Sequence, residues 1–284
     1  MSFAQTVVLG ALAGFTIFIG LPVGRLQLLN NRTRVALAMF SVGVLAFIFV
    51  DVMQGGLSIV DDALTAFKDD KGTLGYVVWL VILLATGFTA GSAGLAMLER
   101  RIRPVRRPPI AGGAEAAIGA AGPEPLALEL HEARRNALRV GLTIAAAIGV
   151  HNFAEGLAIG VSARAGAISL ATVLIIGFAL HNATEGFGIV GPLGDVKPSW
   201  KWLGLAGLIG GGPTFLGSIV GYAVTSDPLE LAFYACAGGA ILYVIGEIWN
   251  GMRRYGHREL GLLMVSAGFL VGVLTDLVVT YGGA

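Results

Sequence analysis

The feature that most constrains this chain is a series of long stretches nearly free of charge. Eight of them, at residues 6–23, 35–53, 74–98, 138–161, 165–190, 202–225, 229–249 and 260–281, are long enough to cross about 30 Å of hydrocarbon as helices. Lipid offers the backbone no hydrogen bonds, and alternating strand patterns are absent, so helices are the spanning form the sequence predicts. The expected fold is all-α, a polytopic membrane protein with eight transmembrane helices and the lipid bilayer as its main partner. Composition agrees, with 55% hydrophobic and only 13% charged residues. In a soluble chain the 43 glycines would suggest disorder. Here many recur at small-xxx-small spacing, as in Gly87/Gly91, Gly217/Gly221 and Gly268/Gly272, which lets helix backbones approach closely in a bilayer.

The chain divides around these spans. Residues 1–98 hold the first three, and 99–137 form a loop of different material, "RRIRPVRRPPIAGGAEAAIGAAGPEP" followed by a short charged helix, "LALELHEARRNALR". Residues 138–191 hold the fourth and fifth spans, and 192–284 the last three. The N-terminus lacks the basic segment of a secretory signal, so 6–23 reads as a retained first span. Of the 19 Lys and Arg, all but Lys68, Lys71 and Arg164 fall in loops on one side. The positive-inside rule puts that side in the cytoplasm and both termini outside. A net charge of +1, with no basic-aromatic patch, gives no reason to expect a nucleic-acid partner. The single cysteine, Cys236, excludes a disulfide framework and a cysteine-based metal site.

Five acids fall inside the spans, Asp51, Glu155, Glu185, Glu247 and Asp276, together with His151 and His181. No lysine or arginine accompanies them, so either they are protonated or something cationic visits them. Four of the residues belong to one hexapeptide written twice, "HNFAEG" at 151–156 and "HNATEG" at 181–186. His and Glu four residues apart share a helix face, while Asn152 and Asn182 line the adjoining wall. The tight connection at 164–166 makes the fourth and fifth spans an antiparallel hairpin, which sets His151 and His181 at nearly one depth. Imidazole nitrogen, carboxylate oxygen and amide oxygen suit a borderline divalent ion such as Zn²⁺. A packing role is the alternative for any one of these groups, and two copies at matched depth weigh against it. Asp51 and Asp276 lie toward outer ends, where they can reach water, and Glu247 lies where it could line an exit route.

These motifs resemble the paired metal-binding segments of the ZIP (Zrt/Irt-like) divalent metal transporters, bacterial members in particular. "GGAILYVIGEI" in the seventh span is similar to the family's segment carrying a glutamate, here Glu247. The resemblance implies a 3+2+3 arrangement, with the first and last three helices related by inverted pseudosymmetry around the central pair. It implies a primary site at His151, Glu155 and Glu185, and an adjoining one at Asn152, Asn182 and the shared Glu185 with His181 beside them. It implies a homodimer in the bacterial cytoplasmic membrane, moving Zn²⁺ or a similar ion (Cd²⁺, Fe²⁺, Mn²⁺, Co²⁺) as cargo, with no resident cofactor. Asp51, Thr214 and Glu247 are candidate pathway residues.

Three positions depart from the family pattern. Ala154 and Thr184 stand where proline is usual, which predicts weaker kinks. In "GGPTFLG", Thr214 stands where many relatives carry a glutamate, so an adjoining second site loses a carboxylate. The loop is rich in Arg, not His, which removes support for metal sensing there. An intramembrane zinc hydrolase is the competing reading. It needs three protein ligands, an open water position and a separate base, whereas the glutamates here would have to serve as both ligand and base. A retinal-type photoreceptor fails because all four lysines lie in loops.

Overall fold

A computed structural model of the chain describes residues 1–26, 30–102, 123–164, 179, 182–223 and 226–281. Among these the structure is helical throughout. Helix α1 (Phe3–Phe15) and the short α2 (Ile17–Gly20) form the first span, which ends in a 3-10 turn at Leu21–Arg25. Helix α3 (Asn31–Lys68) is the second. The third consists of α4 (Leu74–Thr89), a π-turn at Ala90–Gly94 and α5 (Leu95–Ile102). Helix α6 (Pro123–Arg164) carries the fourth, and residues 182–190, here α7, are the continuous described part of the fifth. The last three are α8 (Trp200–Ala223), α9 (Asp227–Arg253) and α10 (Arg258–Tyr281). Among the described residues seven helices are long and apolar enough to cross a membrane. Most of the expected fifth span lies outside the described residues.

Two helices run further than the apolar pattern predicts. The second span was expected to stop at residue 53, before "QGG", yet α3 continues through Gly55 and Gly56 to Lys68. The ring of Tyr234 and the side chain of Leu231 on α9 fill the space those glycines leave, so packing holds a stretch that local propensity would release. The left-handed Asp70 (φ 57°) and Thr73, which caps α4, then turn the chain. Likewise the charged stretch before the fourth span is no separate short helix, because α6 passes through it without a break.

Packing rests on close backbone approach. Gly43 of α3 meets Val265 and Phe269 of α10, while Gly268 of α10 meets Phe40 and Val44. Gly91, in the π-turn, lies against Cys236 and Ala240 of α9. Gly217 and Gly221 of α8 lie against Phe153 and Leu157 of α6. A methyl group at any of these would collide with backbone, which is why small residues recur at that spacing.

The two ends of the bundle differ. At one end Arg25 donates to the Pro198 carbonyl (2.6 Å), Arg34 pairs with Asp195 (3.2 Å) and Arg254 donates to the Pro192 carbonyl (3.0 Å). At the other, Arg164 donates to the Tyr222 and Ala223 carbonyls (both 3.1 Å), and the Tyr222 hydroxyl donates to the Met1 carbonyl (3.3 Å). Three of the connections that the Lys/Arg distribution assigned to one side, around Arg25–Arg34, Pro192–Pro198 and Arg254, are therefore gathered at one end among the described residues.

Candidate metal centre

The centre lies where α6 and α7 meet α8 and the broken first span. His151 and Glu155 are one turn apart on α6, and helical geometry brings His151 Nε2 to 3.0 Å from Glu155 Oε1. Glu185, arriving from α7, places its Oε1 3.3 Å from the same nitrogen. His151 and Glu185 are fully buried and Glu155 is 3% exposed. One imidazole nitrogen thus faces two carboxylates, one from each copy of the hexapeptide. His181 lies outside the described residues.

The asparagines are fixed by the helices outside the hairpin. Asn152 Nδ2 donates to Glu185 Oε2 (3.1 Å) and to the Gly210 carbonyl of α8 (3.0 Å). Asn182 Nδ2 donates to the Ala13 carbonyl of α1 (3.1 Å). Both acceptors sit near an irregular helical turn. The first span breaks at Thr16, whose hydroxyl also donates to Ala13, and α8 carries Pro213 within it. Disturbed turns in a membrane helix have their backbone groups satisfied by neighbouring side chains. With both amide nitrogens anchored this way, the amide oxygens are left over. Asn152 Oδ1, Asn182 Oδ1 and Thr214 Oγ1 are buried and make no hydrogen bond among the described residues. Buried polar atoms of that kind require an explanation, and a bound cation supplies one.

The glycine closing each hexapeptide seats a helix. Gly156 receives α8 at Thr214 and Gly217, and Gly186 receives the first span at Ile17, Gly20 and Leu21. Ala154, where a kink was expected to weaken, lies in the unbroken α6. The Thr184 carbonyl accepts a hydrogen bond from Ser41 of α3 (2.7 Å), tying α7 to the second span.

Imidazole and carboxylate are donor types that a divalent transition metal takes, although among the described residues no three of His, Cys, Asp and Glu already stand in a metal-holding array. Bonds of about 2.0–2.1 Å in tetrahedral array hold ligand atoms roughly 3.3 Å apart. The nitrogen-to-oxygen separations of 3.0 and 3.3 Å are of that size. A nitrogen holding a proton between two carboxylates cannot also ligate, so an ion arriving there takes the proton's place.

The remaining candidates are spread along the bundle. Thr214 is fully buried beside the centre, Asp51 is exposed on α3, and Glu247 is half-buried near the basic end of α9. One acid escaped the sequence reading. Glu99 was placed just past the third span, but α5 continues through it, and it is 7% exposed, with Oε2 accepting from the Tyr243 hydroxyl at 2.6 Å. Its signal is faint, because "LERR" reads as the start of a basic loop. Tyr243 lies one turn before Glu247 on α9.

Comparison with known proteins bears on this arrangement. The model of the family described as "ZIP Zinc transporter" matches residues 127–246, a segment holding both hexapeptides and Thr214 and stopping just before Glu247. The chain is similar to three proteins named zinc transporter ZupT. That of Clostridium perfringens (strain 13 / Type A) is 27% identical over 277 residues, covering 92% of this chain and 90% of its own. That of Streptococcus mutans is 25% identical over 276 residues, 93% of each chain. That of Corynebacterium glutamicum is 26% identical over 244 residues, 82% of each.

Proposed function

We propose that this chain, which belongs to the ZIP family, carries zinc or a similar divalent transition metal into the cytoplasm through a site held by His151, Glu155 and Glu185. It is a transporter of the bacterial inner membrane, not an enzyme. The observation that carries the site assignment is the buried His151 nitrogen facing one carboxylate from each hexapeptide. Two acids and an imidazole are a costly set to bury without a cation. Asn152 and Asn182, with their amide oxygens buried and unbonded among the described residues, complete the donor set, and His181 joins them on the strength of the repeat. Cadmium, iron(II), manganese and cobalt fit the same donors, so zinc is favoured by the relatives' names alone.

The 3+2+3 inverted arrangement belongs to the same proposal, and paired contacts support it. Gly20 of the first span abuts Ala183 and Gly186, while Gly217 of α8 abuts Phe153 and Gly156, the equivalent places in the other hexapeptide. Asn182 reaches Ala13 as Asn152 reaches Gly210. Gly43 lies against Val265 and Phe269 much as Gly239 lies against Phe88 and Ser92. Four acids follow the same rule: Asp51, Glu99, Glu247 and Asp276 each stand eight residues beyond Gly43, Gly91, Gly239 and Gly268. Asp51 and Asp276 thereby fall toward the outer end, and Glu99 and Glu247 toward the basic end. We assign Asp51 to the outer mouth of the pathway and Glu99 and Glu247 to release. Both termini are outside on this reading, and a homodimer is its assembly.

Uptake of radioactive zinc into proteoliposomes tests the whole. Wild-type protein should accumulate zinc, and a folded Glu155→Gln or Glu185→Gln variant should not. Uptake of wild-type rate by both variants would remove the site.

A further inference from the structure

Beyond the metal centre, the basic end of the bundle carries a second feature. There the turn joining α9 to α10 borders a cavity of about 480 Å³. One part of its wall is apolar, with Met39, Trp249 and Leu262, and another is cationic, with Arg253, His257 and Arg258. Among the described residues no aspartate or glutamate lines it. Consecutive left-handed residues, Gly256 (φ 71°) and His257 (φ 56°), fold the chain back, so that the end of α9 and the start of α10 share one cavity.

These cations differ from their neighbours. Arg34 is paired with Asp195, and Arg254 donates to the Pro192 carbonyl and to the Tyr255 hydroxyl. The side chains of Arg253, His257 and Arg258 make no hydrogen bond or ion pair among the described residues. The basic groups that fix this end are satisfied, whereas those around the cavity are left for something anionic.

We propose that the cavity binds an anionic glycerophospholipid of the cytoplasmic leaflet. Its phosphate sits among Arg253, His257 and Arg258, and the start of its acyl chains lies along Met39, Trp249 and Leu262. Arginine suits phosphate because its fork of donors matches two phosphate oxygens. A tryptophan at that depth suits the interface between headgroup and chain. Free phosphate shares the anionic chemistry, but it would leave the apolar wall uncovered. The assignment rests on the reading that this end faces the cytoplasm and makes no use of metal transport.

The test uses full-length protein in zwitterionic detergent, titrated with phosphatidylglycerol, phosphatidylcholine or inorganic phosphate. Bound lipid is read by native mass spectrometry and by thermal melting. Phosphatidylglycerol should remain bound and raise Tm, while the other two do neither. Arg253→Gln/Arg258→Gln should weaken phosphatidylglycerol binding about thirtyfold, given roughly fivefold per basic group, and its zinc affinity should stay at the wild-type value. Arg253→Lys/Arg258→Lys should recover much of the loss. Arg100→Gln/Arg101→Gln removes equal charge from the same end and should leave lipid binding intact. Equal binding of phosphatidylcholine would overturn the proposal, as would a matching effect of inorganic phosphate or equal losses in the two Gln pairs. Because zinc affinity is read in parallel, failure here is distinguishable from failure of the transport site.

Discussion

Glu185→Gln separates a metal ligand from a packing residue. One oxygen of Glu185 lies 3.3 Å from His151 Nε2, and the other accepts from Asn152 at 3.1 Å. Glutamine keeps the shape and the capacity to hydrogen-bond, and removes one of the two anions beside the imidazole. Changing a residue that only supports a metal ligand costs about 10–100-fold in affinity. Loss of a ligand lies beyond that range, so zinc affinity should fall by more than about 100-fold, or ~2.7 kcal/mol. Stability without metal should move the other way or hold, because an uncompensated buried charge carries a desolvation cost of several kcal/mol that the variant escapes. A ligand therefore gives weak zinc binding in a fold at least as stable, and a packing residue gives both losses together. Zinc titration against a buffered chelator and metal-free melting curves, on the same detergent preparation, supply the two readings. A folded variant binding zinc within about threefold of wild type, ~0.7 kcal/mol, would refute the reasoning.

Other expectations follow from the same geometry. Asn152→Ala should weaken zinc by at least about 10-fold, because it frees Glu185 and removes the amide oxygen assigned to the donor set, and a wild-type isotherm would show that this amide does neither. Titration of the wild type should give one dominant ion per protomer, and Thr214→Glu should add a second, with a lowered Tm because Thr214 is fully buried; two ions of equal affinity in the wild type would contradict this. Apparent zinc affinity should fall between about pH 7.5 and 5.5, since protons and metal compete for the imidazole and carboxylates, and a flat profile with buffered free zinc would show that His151 is not a ligand. Gly217→Val should abolish folding or insertion, because its side chain would meet the Phe153 carbonyl and the backbone of Gly156, and a wild-type melting curve would disprove so close a contact.

Much of the bundle was legible because lipid removes alternatives: a long uncharged run has few options besides a spanning helix. The spacing of Gly217/Gly221 and Gly268/Gly272 likewise announced close crossings that the structure contains. Helix lengths were not legible. "QGG" after Met53 reads as a stop, and only the ring of Tyr234, far along the chain, makes it a helix interior. Glu99 was missed for a related reason, since its burial depends on a hydrogen bond from Tyr243 that no local pattern foretells. The meeting of His151 with Glu155 was legible at four-residue spacing. The approach of Glu185 to the same nitrogen pairs the two copies of the hexapeptide, while residues 165–166 of the expected tight connection, and His181, lie outside the described residues.

What could not be counted was why each hexapeptide contains asparagine. The residue follows histidine by one position, so its side chain leaves the His–Glu face and points toward a neighbouring helix. In one copy the neighbour is α8, in the other α1, and each offers a carbonyl near a disturbed turn, Gly210 close to Pro213 and Ala13 close to Thr16. A hydroxyl could donate there, but it would leave no second polar atom. An amide donates with nitrogen and still presents oxygen, as Asn152 and Asn182 do. The glycine that follows each glutamate admits the same two helices, at Gly217 and at Gly20. The repeated sequence thus specifies helix docking as well as the convergence of its polar groups. His151, Glu155 and Glu185 converge on the inner face, while asparagine and glycine clasp the flanking helix that closes it.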